Sequence, residues 1–163
     1  MKLYLWDIDF IKFSDQLCRC AEGIRFRTYY YDGRFENIHN SQQYNFSQEE
    51  QLKQNLEKLS NRFITRWGRA RFNVTYSRYQ QKGVDILLAI DLTEISVSRS
   101  IDRVILVISD TDFIPAITKA RNYFTLVTFA YFHEEGVSPK IKAVCDDSFE
   151  ITDEMIKQSL NKS

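Results

Sequence analysis

Five aliphatic residues in a row, Val104-Ile105-Leu106-Val107-Ile108, leave this chain few structural options. An apolar run of that length without polar alternation reads as a central strand of a parallel sheet, covered on both faces. The run breaks into Ser109-Asp110-Thr111-Asp112, and Phe113-Ile114-Pro115-Ala116-Ile117 then opens a helix. Proline suits the first helical turn, where the amide it lacks has no intrahelical partner. Two carboxylates are thereby expected at the carboxyl end of a central strand, where open α/β sheets put their ligands. Aspartate is also a favoured helix N-cap, but one cap needs one Asp, and the i, i+2 pair leaves one over.

Around this run the chain reads as alternating helices and strands. Asp7 or Asp9 caps a helix in which Phe10, Phe13, Leu17 and Ala21 recur at helical spacing, ended by Gly23. Met1 to Trp6 fits either a short strand or an extended lead-in. Ile24 to Tyr31 is a β-branched and aromatic strand, Asp32-Gly33 its turn, and residues 33–46 a loop. Ser47 with Glu50 forms a capping box, and Leu52, Leu56, Leu59 and Phe63 continue a helix to about Trp67, ended by Gly68. Phe72, Val74 and Tyr76 alternate as a strand, Gln80 to Gly83 connect, and Val84 to Val97 is an apolar helix. After the helix from Phe113 to Asn122 come a buried strand, Phe124 to Phe132, and a turn at His133 to Gly136. A short helix (Pro139 to Cys145), a strand at Phe149 to Ile151 and a helix over Glu154 to Leu160, capped by Asp153, complete the chain. This alternation predicts an α/β fold with a mostly parallel sheet, and 163 residues fit a single domain spanning 1–163.

Lys plus Arg and Asp plus Glu both number 22, so net charge says nothing about partners, and local clustering has to decide. Three cysteines, with Cys18 and Cys20 diverging by about 200° on a helix, match neither a disulfide framework nor a metal site. Signal-peptide and membrane-span patterns are absent, which predicts a cytoplasmic protein without a membrane partner. Walker A, G-x-S-x-G and G-x-G-x-x-G motifs are absent too, which weakens NTPase, hydrolase and dinucleotide readings.

Two constellations remain. The acidic one comprises Asp85, Asp110 and Asp112, with Asp32 and Asp91 as additions. Crowded carboxylates raise one another's pKa unless a cation neutralises them, and hard oxygen donors suit Mg2+ or Mn2+. The other is basic: Arg62, Arg66, Arg69, Arg71, Arg78 and Lys82 follow one another without an acid, interleaved with Trp67, Phe72, Tyr76 and Tyr79. Such a strip suits phosphates and unpaired bases, and equally an ordinary solvated edge.

The stretch from Lys82-Gly83-Val84-Asp85 to Asp91-Leu92, then Asp102 to Ala116 with its Ser109-Asp110-Thr111-Asp112-Phe113, resembles the NYN domain family (LabA-like) of the PIN-like nuclease superfamily. Arg27 to Asp32 resembles that family's second strand, and Lys142 to Phe149 its C-terminal segment. The resemblance implies a three-layer α/β/α, PIN-like (Rossmannoid) fold and metal-dependent ribonuclease activity on single-stranded or structured RNA, with one or two Mg2+ or Mn2+ ions. It assigns catalysis and metal binding to Asp85, Asp110 and Asp112, and leaves a homodimer open. Arg66, Arg69, Arg71, Arg78 and Lys82 are the expected RNA contacts. Two departures stand out. The family's Gly between Ser and Asp is missing, since Ser109 directly precedes Asp110. Its opening strand, which ends in an essential Asp, has no clear counterpart: that strand is missing or degenerate, or Met1 to Trp6 replaces it and Asp7 is the ligand. A non-catalytic RNA-binding or regulatory module is the alternative function.

Overall fold

A computed structural model describes residues 4–35, 43–59, 62–76, 78–133 and 138–161, without the side chains of residues 35, 43–47, 78 and 79. The expectations for Met1 to Leu3, for the loop at residues 36–42 and for the turn at Glu134 to Gly136 lie outside the described residues. The chain forms two compact units, one of residues 27–88 and one of residues 1–26 with 89–163.

The unit of residues 27–88 contains β1 (Thr28–Phe35), α2 (Gln43–Lys58), β2 (Phe63–Asn73), β3 (Arg78–Lys82) and the first turn of α3 (Val84–Ser98). Its sheet has the order β1-β2-β3, with β1 parallel to β2 and β3 antiparallel to it. Both helix and strand limits differ here from the sequence reading. Asp32-Gly33 is no turn: β1 runs through it to Phe35, pairing Gly33 with Gly68. Ser47 lies inside α2, and the helix ends at Lys58, so the helical spacing of Phe63 with Leu52, Leu56 and Leu59 is coincidental. Residues 63–73 pair with a strand on one or both sides, and that ladder outweighs local helical periodicity. Gln80 to Lys82, read as a connection, is the body of β3. Lys53 on α2 is buried, and its ammonium donates to the Gly33 carbonyl at 2.5 Å and lies 3.4 Å from the Asp32 carboxylate. Those partners offset the desolvation of the charge.

The other unit contains α1 (Phe10–Cys20), the remainder of α3, β4 (Arg103–Leu106), α4 (Ile114–Asn122), β5 (Leu126–Phe132), α5 (Pro139–Val144), β6 (Asp147–Ile151) and α6 (Asp153–Gln158). Its sheet has the order β4-β5-β6, parallel throughout. The central strand is therefore β5, not the aliphatic run at 104–108. β4 stops at Leu106 with one described neighbour, and Val107 is 42% exposed. Val127, Thr128, Phe129 and Ala130 of β5 are essentially inaccessible, because strands flank β5 on both sides. Leu17 of α1, Ala130 and Ile151 form the core here, with Phe13, Ile105, Phe132, Phe149, Met155 and Ile156 packed against them. Full burial of each large side chain is worth about 1.5–3 kcal/mol.

Capping sets the helix limits. The Asp9 carboxylate accepts from the amides of Ile11 and Lys12, both at 3.1 Å, and so starts α1. α6 is capped by the Thr152 hydroxyl, not by Asp153, which falls in the first turn. Mixed α/β structure with parallel-rich pairing is the class expected, with the ladders distributed over two three-stranded sheets, one per unit. Among the described residues no strand precedes β1, and residues 5–7 form a 3-10 turn. No helix of the described residues is long and apolar enough to cross a membrane.

Candidate functional site

Asp110 and Asp112 stand beyond the carboxyl end of β4, exposed on the 3-10 turn that leads into α4. Asp110 is the cap of that turn: one carboxylate oxygen accepts from the Asp112 amide at 2.9 Å. Capping and site readings are thus compatible. The amide fixes the direction of the Asp110 carboxylate and still leaves it a second oxygen, while the Asp112 side chain lies on the exposed turn. Phe113, buried behind them, holds the turn on the unit's core, and Pro115 stands in the first turn of α4.

The remaining acids differ in setting. Asp85 is exposed in the first turn of α3, where a carboxylate complements the helix dipole. Asp7 accepts from the Tyr4 amide at 2.9 Å, closing its own turn, and its carbonyl accepts from the Asn161 amide. Asp91 is buried and partnered. Asp32 accepts from the Gly33 amide and the Gln81 side chain and pairs with Lys53, which makes it a support of the sheet. Asp146, in the C-terminal segment, is consumed by structure as well: it accepts from the Val127 amide at 2.8 Å and from Arg121 at 2.9 Å. Among the described residues no group of three or more His, Cys, Asp or Glu is assembled to hold a metal ion.

The donor chemistry of the Asp110–Asp112 turn nevertheless fits Mg2+ or Mn2+. Magnesium is usually held by one or two carboxylates, with water and substrate phosphate completing its shell. Residues 109–113 themselves include no Cys, Met or His, so the turn's own side-chain donors are oxygens.

The basic strip lies on strands, not on a helix. Side-chain alternation along β2 puts Arg66 on the face opposite Arg69 and Arg71. Arg66 lies over the Tyr29 ring at 5.8 Å, and Tyr29 stacks on Tyr31. On the other face, Arg69 pairs in register with Lys82 of β3 and with Arg34 of β1. Arg34 escaped the sequence reading because residues 33–46 read as loop; the strand-like continuation through Arg34-Phe35 was the available signal. Trp67 is engaged internally: its indole donates to Glu57 at 2.7 Å, and Arg34 and Lys53 lie over its ring. The side chain of Arg78 lies outside the described residues.

Burial perturbs a few groups. It raises the Tyr30 hydroxyl, with the Asp32 and Glu49 charges adding to the effect. It also raises Glu49, with Lys53 opposing and Asp32 reinforcing. Cys145 is pushed up to about 11 by burial and by Asp146, against the pull of Arg121, so it is no thiolate nucleophile at neutral pH.

The NYN domain family matches residues 1–153. The chain belongs to the NYN domain family. Assignment of this NYN chain to the PIN-like superfamily is consistent with that match, and a nuclease-like character follows from the family. Among solved structures, a protein of unknown function from Vibrio parahaemolyticus RIMD 2210633 is similar at 19% identity, with 79% of this chain and 70% of that chain covered and a TM-score of 0.47. No curated protein matches the chain.

Proposed function

We propose that this NYN domain is a divalent-metal-dependent ribonuclease, with the cation held by Asp110 and Asp112. The observation that carries the reading is the pair of exposed carboxylates just past β4 in a chain of this family, one oriented by the amide of the other. A bound Mg2+ or Mn2+ would supply charge neutralisation at a scissile phosphate and lower the pKa of a water molecule. The chain's own part is to hold its carboxylates in place: the Asp112 amide orients Asp110, and the buried Phe113 anchors the turn.

A second reading, an RNA-binding module with an incomplete site, draws on a specific observation. The Asp7 carboxylate serves its own turn, and no three acids are grouped among the described residues.

The two readings separate on incubation of pure protein with labelled single-stranded RNA in Mn2+, Mg2+ or chelator. The ribonuclease reading expects cleavage with either ion, none with chelator, and a loss of at least about 10–100-fold in Asp112→Asn, since even outer-shell partners of a metal cost that much. Cleavage that survives the chelator, or Asp112→Asn as active as the parent, excludes it. Binding without cleavage leaves the second reading.

A further inference from the structure

Charge in this chain is segregated although its total is zero. Residues 27–88 carry ten Lys and Arg against six Asp and Glu; the rest of the chain carries twelve against sixteen. The excess of cations lies in the unit that does not contain Asp110 and Asp112. Within it, strand register concentrates part of that excess on one face. Arg34 on β1, Arg69 on β2 and Lys82 on β3 are consecutive cross-strand partners, and Arg71 lies two residues along from Arg69, opposite Gln80. Arg69, Arg71 and Lys82 are exposed.

Like charges directly opposite one another in a ladder destabilise it. Three such residues, on strands about 4.8 Å apart, span roughly 10 Å, with Arg34 paired to Glu57 at one end. That extent exceeds a single anion and suits a chain of them. Glu57 at one end binds both Arg34 and Trp67 at 2.7 Å, so α2 walls that side, while the row continues exposed towards Lys82 and Arg71. Along the strands from Arg71, the β2–β3 hairpin turn presents Tyr76, 63% exposed, and Val74, 78% exposed. Its backbone is pinned, the Tyr76 amide donating to the Asn73 side chain and Asn73 in turn donating to Gln80. An exposed aromatic ring on the same hairpin as Arg69, Arg71 and Lys82 offers base stacking beside phosphate neutralisation, the two elements of single-strand recognition.

We infer that the face of the β1–β2–β3 sheet bearing Arg34, Arg69, Arg71 and Lys82 is a phosphate-binding platform for single-stranded RNA, and that Tyr76 at the hairpin tip stacks on a base. The inference deepens the proposed ribonuclease reading by naming where the strand is held, and it assigns no role to Arg66, which lies on the opposite face. Arg34 frames the platform through its contacts with Glu57 and Trp67; Arg69, Arg71 and Lys82 are the phosphate contacts.

The test is fluorescence anisotropy of a labelled oligouridylate titrated with the full chain in chelator, over a range of salt. The triple variant Arg69→Ala/Arg71→Ala/Lys82→Ala removes all three phosphate partners. It should flatten the slope of log K against log salt by about 2 and weaken binding about tenfold or more at 0.1 M salt. Tyr76→Ala should weaken binding with the slope unchanged. A control triple, Arg19→Ala/Lys140→Ala/Lys157→Ala, removes as many cations elsewhere and should leave the slope alone. Arg69→Lys/Arg71→Lys, which keeps the charge, guards against misfolding and should retain the parental slope. An unchanged slope in the first triple, or an equal loss in the control, overturns the platform. Because cleavage plays no part in this measurement, a chain that binds as described but never cleaves refutes the ribonuclease reading alone, and one that cleaves with an unaltered slope refutes the platform alone.

Discussion

At the scale of single residues, Asp9 shows how one carboxylate links sequence to stability. Its side chain takes two amide hydrogen bonds at the start of α1 and pairs with Lys12 at 3.0 Å. Burial pushes its pKa up, but the Lys12 amide, the Lys12 ammonium and the Ile11 amide outweigh that, and the carboxyl is held below its ordinary 3.8. A depressed native pKa means that the ionised form favours folding. That contribution is complete above the unfolded-state value and is lost as pH falls through the native one. Asp9→Ala should therefore cost about 1 kcal/mol at pH 7 in a urea titration, with the gap to the parent closing as pH drops below about 3.8. A gap of constant size down to pH 2.5 would show that capping by the ionised carboxylate is not its origin. The sequence offered Asp7 and Asp9 as equal candidates for this cap. The separate turn of residues 5–7, which engages Asp7, decides between them.

At the scale of elements, Gly68 marks where sequence pattern and tertiary pairing part. Read from the sequence, it stops a helix; in the structure it is the middle of β2. A Cβ there would stand 2.5 Å from a Val84 methyl, 2.7 Å from the Lys82 carbonyl and 2.9 Å from the Val84 amide. Two of those atoms are backbone, so the β3–α3 junction would have to move. Gly68→Ala should accordingly destabilise the chain by about 1–3 kcal/mol, the usual cost of overpacking, despite Ala being the better residue for an ordinary strand interior. A neutral or stabilising effect in thermal unfolding would show that the junction yields. The elements legible in advance were those whose pattern is local: α1 and α3 with their apolar periodicity, α4 with its proline, and β5 with its largely apolar run. α2 and β2 were misjudged because the end of one and the start of the other depend on pairing with β1, some 35 residues earlier in register, and helical spacing of Leu52, Leu56 and Phe63 runs straight across the boundary. The rank of β4 and β5 in the sheet was illegible for a similar reason. Both runs are largely apolar, and which one gains two neighbours is decided by where the other strands join.

At the scale of the whole molecule, the acids that the family resemblance groups are separated in sequence and fall in two units. Asp110 and Asp112 belong to one, Asp85 to the other. Their types and their positions after β4 and at the start of α3 were legible from motif spacing; whether they act on one ion was not, because that depends on contacts between distant parts of the chain. Thermodynamic coupling answers the question without any structural assumption. A cation that binds the native state alone stabilises it by mass action, about 2.7 kcal/mol at a hundred times its dissociation constant. Asparagine caps nearly as well as aspartate, so Asp110→Asn keeps the turn that Asp112 closes and removes a charge from the acidic pair. Without metal, its melting temperature should equal or slightly exceed the parent's, since repulsion with Asp112 is relieved. With Mn2+ the upward shift seen in the parent should vanish. Asp85→Asn decides the other question: loss of the same shift, with the double variant losing no more than either single one, means that the two residues serve one ligand, because such groups are not additive. Should the two single variants each remove part of the shift and the double variant their sum, Asp85 and Asp110 serve separate ions. A parental Mn2+ response in Asp110→Asn would leave Asp110 as the cap of a 3-10 turn and nothing more.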